Sequence, residues 1–141
     1  MTIRQAKPSD AEKIKSLLGQ LGYADFEVPD VVVKIKSYDA PGYIILVAEI
    51  EEHVVGFISL HWFDLAHWKG KMGRITSFCV DQNFRSQAVG HQLLSAGEEV
   101  FRKEGCVKFE VTSNLKRTRA HGFYLREGYL EDSKRFVKYT N

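Results

Sequence analysis

Apolar runs alternate along the chain with segments of helical periodicity. Residues 43–50 are apolar almost throughout, which predicts a buried strand, and an acidic turn leads from them into a second apolar run over 53–63. Two such runs joined by a short turn predict a β-hairpin. Apolar and polar residues alternate strictly over 107–113, which is typical of a strand with two different faces.

Four helices are predicted from apolar spacing and from the residues that begin or end them. The first begins with a capping box formed by Ser9 and Glu12, and the second covers 29–38. The third covers about 90–104, and the last is short and ends at Gly128.

Three further strands are predicted at 3–5, 74–80 and 136–139, which completes the order β-α-α-β-β-β-α-β-α-β. The expected fold class is therefore α+β, with one mixed central sheet of six to seven strands flanked by about four helices. The clear β-α-β crossover runs from the strand at 74–80 through the third helix. A chain of 141 residues without a linker or repeat predicts a single domain over 1–141.

Composition limits the kinds of binding partner and the cellular compartment that are expected. A formal charge of +2 does not call for nucleic acid or an anionic membrane. The N-terminus has no apolar signal region, and no run approaches about 18 apolar residues, so no membrane partner and a cytoplasmic location are expected. Cys79 and Cys106 are isolated and adjoin apolar strands, which indicates buried structural thiols.

The segment NFRSQAVGHQLL, residues 83–94, follows a predicted strand and opens the third helix. The unpaired amides and the dipole at a helix N-terminus favour an anion. Small residues at Ser86, Ala88 and Gly90 would let a phosphate approach the backbone, with Arg85 as a charged donor. By itself this pattern also suits an ordinary helix start.

The same segment resembles the Q/R-x-x-G-x-G/A signature of the GCN5-related N-acetyltransferases, the GNAT superfamily. A second stretch, SNLKRTRAHGFYLREGY, resembles the superfamily's C-terminal pattern through Asn114, Ala120, Phe123-Tyr124 and Gly128-Tyr129. Ala88 replaces the usual first glycine, and an alanine can take a helical or turn conformation there without penalty, but not a left-handed one.

The resemblance implies acetyl-CoA as cosubstrate, with no tightly bound metal. Tyr124 is then the general acid that protonates the leaving thiolate, and Asn114 orients the cofactor or Tyr124. The residues implied to bind acetyl-CoA are Phe78, Cys79, Val80, Arg85, Ser86, Gln87, Ala88, Val89, Gly90, His91, Asn114 and Tyr124.

The general base is left open by the sequence. Many members of the superfamily carry a carboxylate near the positions of Thr76 and Ser77, and neither residue is a base. His61 is the candidate base, since a histidine titrates near neutral pH. Other residues that offer a basic or metal-binding side chain nearby are His67, Asp64 and Glu110.

A narrower resemblance is to the aminoalkylphosphonate N-acetyltransferases, a bacterial GNAT branch. It rests on the stretches LHWFDLAHW, TSNLKR and AHGFYLREGY, and on His61, His67, Asn114, Lys116, Arg117, His121 and Arg135. Among these, the expected substrate-binding residues are His61, His67 and Arg135.

The expected function is transfer of acetyl to a primary amine of a small, anionic molecule. Two alternatives stay open: a protein or peptide N-acetyltransferase, and a non-catalytic acyl-CoA-binding regulator. The substrate is expected to be the main partner, with a homodimer as a further expectation.

Overall fold

The computed structural model describes residues 1–140, except for the side chains of Ser86 and Gln87. Its strands are β1 (Thr2–Gln5), β2 (Tyr43–Ile50), β3 (His53–Asp64), β4 (Lys71–Val80) and β5 (Cys106–Val111). Its α-helices are α1 (Ala11–Gln20), α2 (Val28–Ser37), α3 (Val89–Lys103) and α4 (Thr118–Arg126).

The five strands form one sheet in the order β1-β2-β3-β4-β5. All neighbours are antiparallel except β4 and β5, which are parallel and joined through α3. Separate apolar cores lie on the two faces. The α1 and α2 core includes Leu17 and Phe57, and the α3 core includes Leu93 and Phe101.

A β-bulge lies in β4 at Thr76. Ser59 pairs with Ser77, but the next residue of β3, Leu60, pairs with Ile75, so Thr76 is the extra residue. An extra residue of this kind turns successive side chains toward the same face, and such bulges are common beside functional sites. Thr76 and Ser77 therefore both direct their hydroxyls toward Ser59.

The parallel pair β4 and β5 separates partway along β4. The ladder between them runs from Lys71 and Cys106 to Ile75 and Val111 and then stops. The last five residues of β4, 76–80, continue beyond it without pairing to β5. A gap lined by β4 backbone therefore opens where the two strands part.

The sequence prediction of six to seven strands is wrong for the described residues, which contain five. The predicted strand at 136–139 is missing, since residues 129–140 have no regular structure. Phe136 is 89% exposed and Tyr139 is 87% exposed, so neither packs on the sheet. A strand needs a hydrogen-bonded neighbour, and the apolar pattern of this segment does not supply one.

The predicted capping box of Ser9 and Glu12 is also replaced. Residues Pro8–Asp10 form a 3₁₀ turn, and the Asp10 carboxylate accepts from the Lys7 amide at 2.7 Å and binds Arg4 with both oxygens. Because Asp10 is the anchored carboxylate, the helix proper begins after it, at Ala11.

Candidate active site

The turn after β4 is anchored by a buried carboxylate. Asp81 is 5% exposed, accepts from the Asn83 amide at 3.0 Å, and pairs with Lys13 of α1 at 3.2 Å. The amide hydrogen bond, with help from Lys13, outweighs the cost of burial and lowers the pKa of Asp81. The turn thus leaves β4 along a defined path into the 3₁₀ segment Gln82–Gln87.

Ala88 connects that turn to α3 in a left-handed conformation, with φ of 59° and ψ of 17°. Ala88 therefore has the conformation that an alanine cannot take without a penalty. Ala88 has a glycine's backbone conformation without being a glycine, and the cost for a residue with a Cβ is about 1–2 kcal/mol. Because α3 begins at the next residue, the strain is localised at the helix N-terminus.

The first turn of α3 is the predicted phosphate site. A Cβ at Gly90 would lie 3.4 Å from a ring carbon of Phe123, so α4 packs closely here. The His91 ring bonds Glu127, and the Arg85 guanidinium lies 3.4 Å from the carbonyl oxygen of Val80. Ser86 and Gln87 belong to the same segment, but their side chains lie outside the described part of the structure.

Tyr124 belongs to an aromatic cluster on the α3 side of β4. Its ring centroid lies 6.4 Å from that of Phe78, 5.5 Å from Phe123 and 5.9 Å from Tyr129. Burial raises the pKa of Tyr124 to about 12, although Arg117 partly opposes the shift. The phenol therefore keeps its proton at neutral pH.

The chain after β5 forms the far side of the gap. Asn114 Oδ1 accepts from the Lys116 amide at 2.9 Å, and its carbonyl accepts from His121, so Asn114 shapes the turn into α4. The Arg117 guanidinium donates to the carbonyl of Leu21, at the end of α1. Ser113 Oγ is a buried polar atom that has no hydrogen-bond partner within the described chain.

A pocket of about 240 Å³ lies on the opposite face, between the sheet and helices α1 and α2. Lys34 is its one charged lining side chain among the described residues, and no histidine or carboxylate lines it. The apolar lining residues are Ile14, Leu18, Phe26, Val31, Ile35, Ile45 and Phe57. Its polar floor consists of Tyr38, Ser59, Thr76 and Ser77, and Tyr23 completes the lining.

His61 lies one layer away from this pocket. Its Nδ1 is 2.8 Å from the carbonyl oxygen of Gly42, and because a carbonyl only accepts, Nδ1 is the donor of this hydrogen bond. Its ring stacks on Tyr43, with centroids 4.1 Å apart, and Tyr43 in turn contacts Tyr38 edge to face. His61 is thus connected to the pocket residue Tyr38 through Tyr43, and it is not among the residues that line the pocket.

The other candidate bases and substrate residues are dispersed. Asp64 is exposed at the end of β3, and His67 lies beyond it against Trp68. Glu110 is paired with Arg74 at 2.5 Å, and Arg135 is exposed in the segment after α4. The pocket floor includes none of these four side chains.

Tyr38 and Ser59 are site residues that sequence reasoning missed. The hairpin register sets Ser59 opposite Ser77, and this pairing follows from the predicted β2–β3–β4 order only if the bulge at Thr76 is known. Tyr38 ends α2, and nothing in its local sequence distinguishes it from a surface tyrosine. Both residues are recognised only from contacts between separate elements, and a local sequence pattern does not contain that information.

The residues around the gap fit acetyl-CoA. The β4 backbone over 76–80 is unpaired on its β5 side, and together with the orphan hydroxyl of Ser113 and the N-terminus of α3 it offers hydrogen-bond donors and acceptors. The Cys79 side chain is buried in the α1 core, so its backbone is the part that faces the gap. Acetyl-CoA supplies the acetyl group as a thioester.

Neither a metal-binding cluster nor a membrane-spanning helix is present among the described residues. No cluster of three or more His, Cys, Asp or Glu side chains is arranged to hold a metal ion over residues 1–140. Within the same range, every helix is too short or too polar to cross a bilayer.

Curated relatives include several N-acetyltransferases. The aminoalkylphosphonate N-acetyltransferase of Salmonella typhimurium strain LT2 is 44% identical over 85 residues, which are 60% of this chain and 55% of that protein. This chain thus spans little more than half the length of that relative. The thialysine N-epsilon-acetyltransferase of Bos taurus is 30% identical over 74% of this chain and 69% of its own.

Solved structures share the whole fold at low sequence identity. A protein from Bacillus halodurans C-125, described as a transcriptional regulator, is 22% identical with a TM-score of 0.89, over 99% of both chains. Glucosamine-6-phosphate N-acetyltransferase from Arabidopsis thaliana is also 22% identical, with a TM-score of 0.84 over 99% of this chain and 98% of its own. A profile of the Acetyltransferase (GNAT) family matches residues 12–129, and the chain therefore belongs to the GNAT family, whose members use acetyl-CoA as cosubstrate.

Proposed function

We propose that this protein transfers the acetyl group of acetyl-CoA directly to a primary amine of a small molecule. One observation carries the proposal. Beside the gap between β4 and β5, the pocket that Ser77 lines is on one face of β4, and the phenol of Tyr124 is on the other face. An amine in the pocket and a thioester in the gap would meet at the end of β4.

In this proposal, the chain contributes a binding track and a proton. The backbone of Phe78, Cys79 and Val80 holds the pantetheine arm, and the amides of residues 86–91 hold the pyrophosphate, with Arg85 beside them. Tyr124 Oη holds the proton that the departing sulfur takes up. A phenol whose pKa is raised to about 12 is protonated at every physiological pH, as this role requires.

The proposed substrate is a small amine that also carries an anionic group, as an aminoalkylphosphonate does. Lys34 supports an anion, since it is the charged side chain of an otherwise apolar wall. The Salmonella relative acts on aminoalkylphosphonates by name, while other relatives are named for thialysine and aminoglycosides. His67 and Arg135 stay predictions as substrate residues.

A pocket of this size favours a small molecule over a protein substrate. A protein N-acetyltransferase would need an open groove with acidic groups for a lysine or an N-terminus, and no carboxylate lines the pocket among the residues that the structure describes. A non-catalytic acyl-CoA sensor would have no use for a protonated tyrosine beside the gap. These two functions are the outcomes against which the proposal is tested.

The test is release of free thiol from acetyl-CoA with a panel of amines. The panel contains 2-aminoethylphosphonate, thialysine, spermidine, kanamycin and a lysine-containing peptide. We expect turnover with 2-aminoethylphosphonate at the highest kcat/KM. Turnover with the peptide alone would establish the protein acetyltransferase, and tight CoA binding without turnover on any amine would establish the sensor.

A further inference from the structure

Four hydroxyl groups on the pocket floor form one continuous hydrogen-bonded chain. Tyr38 Oη lies 3.0 Å from Thr76 Oγ1, which lies 2.7 Å from Ser59 Oγ, and Ser59 Oγ bonds Ser77 Oγ. Two backbone carbonyls also border the chain. The oxygen of Ser59 lies 3.1 Å from Thr76 Oγ1, and that of Ser77 lies 3.4 Å from Ser59 Oγ.

Counting protons gives this chain a direction. Each hydroxyl has one proton, and a carbonyl only accepts. If Thr76 donates to the Ser59 carbonyl, then Tyr38 and Ser59 must both donate to Thr76, and Ser77 must donate to Ser59. If Ser59 instead donates to the Ser77 carbonyl, then Thr76 and Ser77 donate to Ser59, and Tyr38 donates to Thr76.

Both arrangements give the same result at the two ends of the chain. Tyr38 and Ser77 each donate their hydroxyl proton to a neighbouring hydroxyl group of the floor. The remaining lone pairs of their oxygens can therefore accept hydrogen bonds from a ligand. With one of the two carbonyls accepting a hydroxyl proton, the floor therefore offers two hydrogen-bond acceptors and no hydroxyl donor. Ser59 is 3% exposed, so its carbonyl and hydroxyl are held in place by the surrounding sheet.

We propose that Tyr38 Oη and Ser77 Oγ hold the two N–H groups of the acceptor amine, and that this orients the amine's lone pair away from the floor. The inference rests on the proposed function and assigns its amine site. Ser59 and Thr76 are positioning residues, because they act by setting the direction of the two end hydroxyls.

This arrangement also accounts for a pocket without a carboxylate or histidine. An amine enters as an ammonium with three N–H groups, and apolar walls disfavour its charge. Its third proton passes to solvent water at the exposed rim beside Lys34. The neutral amine keeps two N–H groups, which match the two acceptors, and its electron pair forms the new C–N bond as the C–S bond of the thioester breaks. The departing thiolate takes the proton of Tyr124. One of the two remaining amine protons passes to water as the amide forms, and water returns a proton to Tyr124.

Three variants test the assignment on whichever panel amine is acetylated fastest. Ser77→Ala and Tyr38→Phe each remove one acceptor, and we expect the KM for the amine to rise about tenfold in each. The KM for acetyl-CoA should stay at the wild-type value. Ser37→Ala is the matched control, since this exposed hydroxyl donates to the Val33 carbonyl outside the pocket, and its amine KM should remain close to wild type.

An N-methylated probe separates hydrogen bonding from a structural effect. For 2-aminoethylphosphonate, the probe is 2-(methylamino)ethylphosphonate, which has one N–H fewer. The wild type should prefer the primary amine by about tenfold in kcat/KM, and Ser77→Ala should reduce that preference to near unity. A merely structural serine would slow both substrates equally and leave the preference unchanged.

The outcomes distinguish this inference from the proposed function. Acetylation of an amine with wild-type KM in both Ser77→Ala and Tyr38→Phe would overturn the amine site and leave the acetyltransferase in place. An unchanged preference between the primary and methylated amines in Ser77→Ala would do the same. Tight acetyl-CoA binding without acetylation of any amine would overturn both.

Discussion

At the scale of single residues, Ala88 is the position with the clearest energetic cost. It is one of three non-glycine residues with positive φ in the described chain, and the other two, Glu51 and Glu52, form a hairpin turn. Strain of this kind persists where the surrounding structure imposes it, and it is frequent at functional sites. Here Asp81 holds one side of the turn and α3 holds the other.

Ala88→Gly should therefore stabilise the protein by about 1 kcal/mol, because glycine adopts this conformation without a Cβ clash. Urea unfolding followed by circular dichroism measures the change. Ala96→Gly, inside α3, is the control and should destabilise by a similar amount, since glycine there weakens a regular helix. Equal destabilisation by both variants would mean that Ala88 is unstrained.

Tyr124 is the residue whose proposed role depends on one oxygen atom. Tyr124→Phe keeps the ring in the aromatic cluster and removes the proton donor, so kcat should fall about 100-fold or more while the Kd of acetyl-CoA stays unchanged. Steady-state kinetics and calorimetry measure the two quantities. Tyr129→Phe is the matched control: its hydroxyl donates to Glu98, away from the gap, and kcat should be retained. Equal rates in wild type and Tyr124→Phe would remove Tyr124 as the acid.

At the scale of elements, α3 links the phosphate site to α4. Gly90 lies in its first turn, where a Cβ would meet Phe123 at 3.4 Å and Val80 at 3.7 Å. Those distances are ordinary van der Waals contacts, so an alanine fits there. A longer acidic side chain would have to extend toward the predicted pyrophosphate.

Gly90→Glu should weaken CoA binding more than tenfold, because it adds a negative charge beside the pyrophosphate amides. Gly90→Ala is the control and should bind CoA nearly as well as wild type. Isothermal titration calorimetry with CoA gives both affinities, and melting temperatures establish that the variants are folded. Wild-type affinity in Gly90→Glu would show that this turn does not hold the pyrophosphate.

The turn between β4 and α3 should also depend on pH. The pKa of Asp81 is lowered in the folded state, so its charge stabilises the protein above the ordinary carboxyl pKa of about 4 and ceases to do so as pH falls through the folded value. Asp81→Asn keeps an acceptor for the Asn83 amide and removes the charge. The difference in melting temperature between wild type and variant should be present at pH 7 and shrink toward pH 3. A difference of the same size at both pH values would contradict this sign.

Most elements could be predicted because their signals are local. β2 follows from a run of eight residues that are mostly apolar, and α3 follows from its inner face and its glycine stop. The bulge at Thr76, the left-handed Ala88 and the missing strand at 136–139 could not, since each depends on contacts between distant segments. The site residues divide in the same way between local signals and long-range contacts. Tyr124 lies in a sequence motif, whereas Tyr38 and Ser59 join the site through packing between elements.

At the scale of the whole molecule, α1 connects both sides of the gap. Gln20, at its end, accepts from the amide of Gln82 after β4, and the neighbouring Leu21 accepts from Arg117 after β5. The distance between the two strand exits is therefore linked to the position of one helix, which also lines the pocket through Ile14 and Leu18.

The homodimer stays a prediction, because it concerns a second copy of the chain. Sedimentation velocity at micromolar concentration should give a single species of twice the mass of one chain. A species with the mass of one chain at every concentration would contradict the expectation. Adding acetyl-CoA to the same samples would report whether the cosubstrate changes the assembly.

The extra residue in β4 changes which of the strand's residues face each side of the sheet. Upstream of it, Gly73 and Ile75 face α3, whereas downstream of it Phe78 and Val80 do so. If β4 instead alternated regularly through Thr76, without the bulge, Phe78 would point into the small-molecule pocket and Ser77 toward the aromatic cluster. One residue thus sets which side chains each of the two substrates would meet.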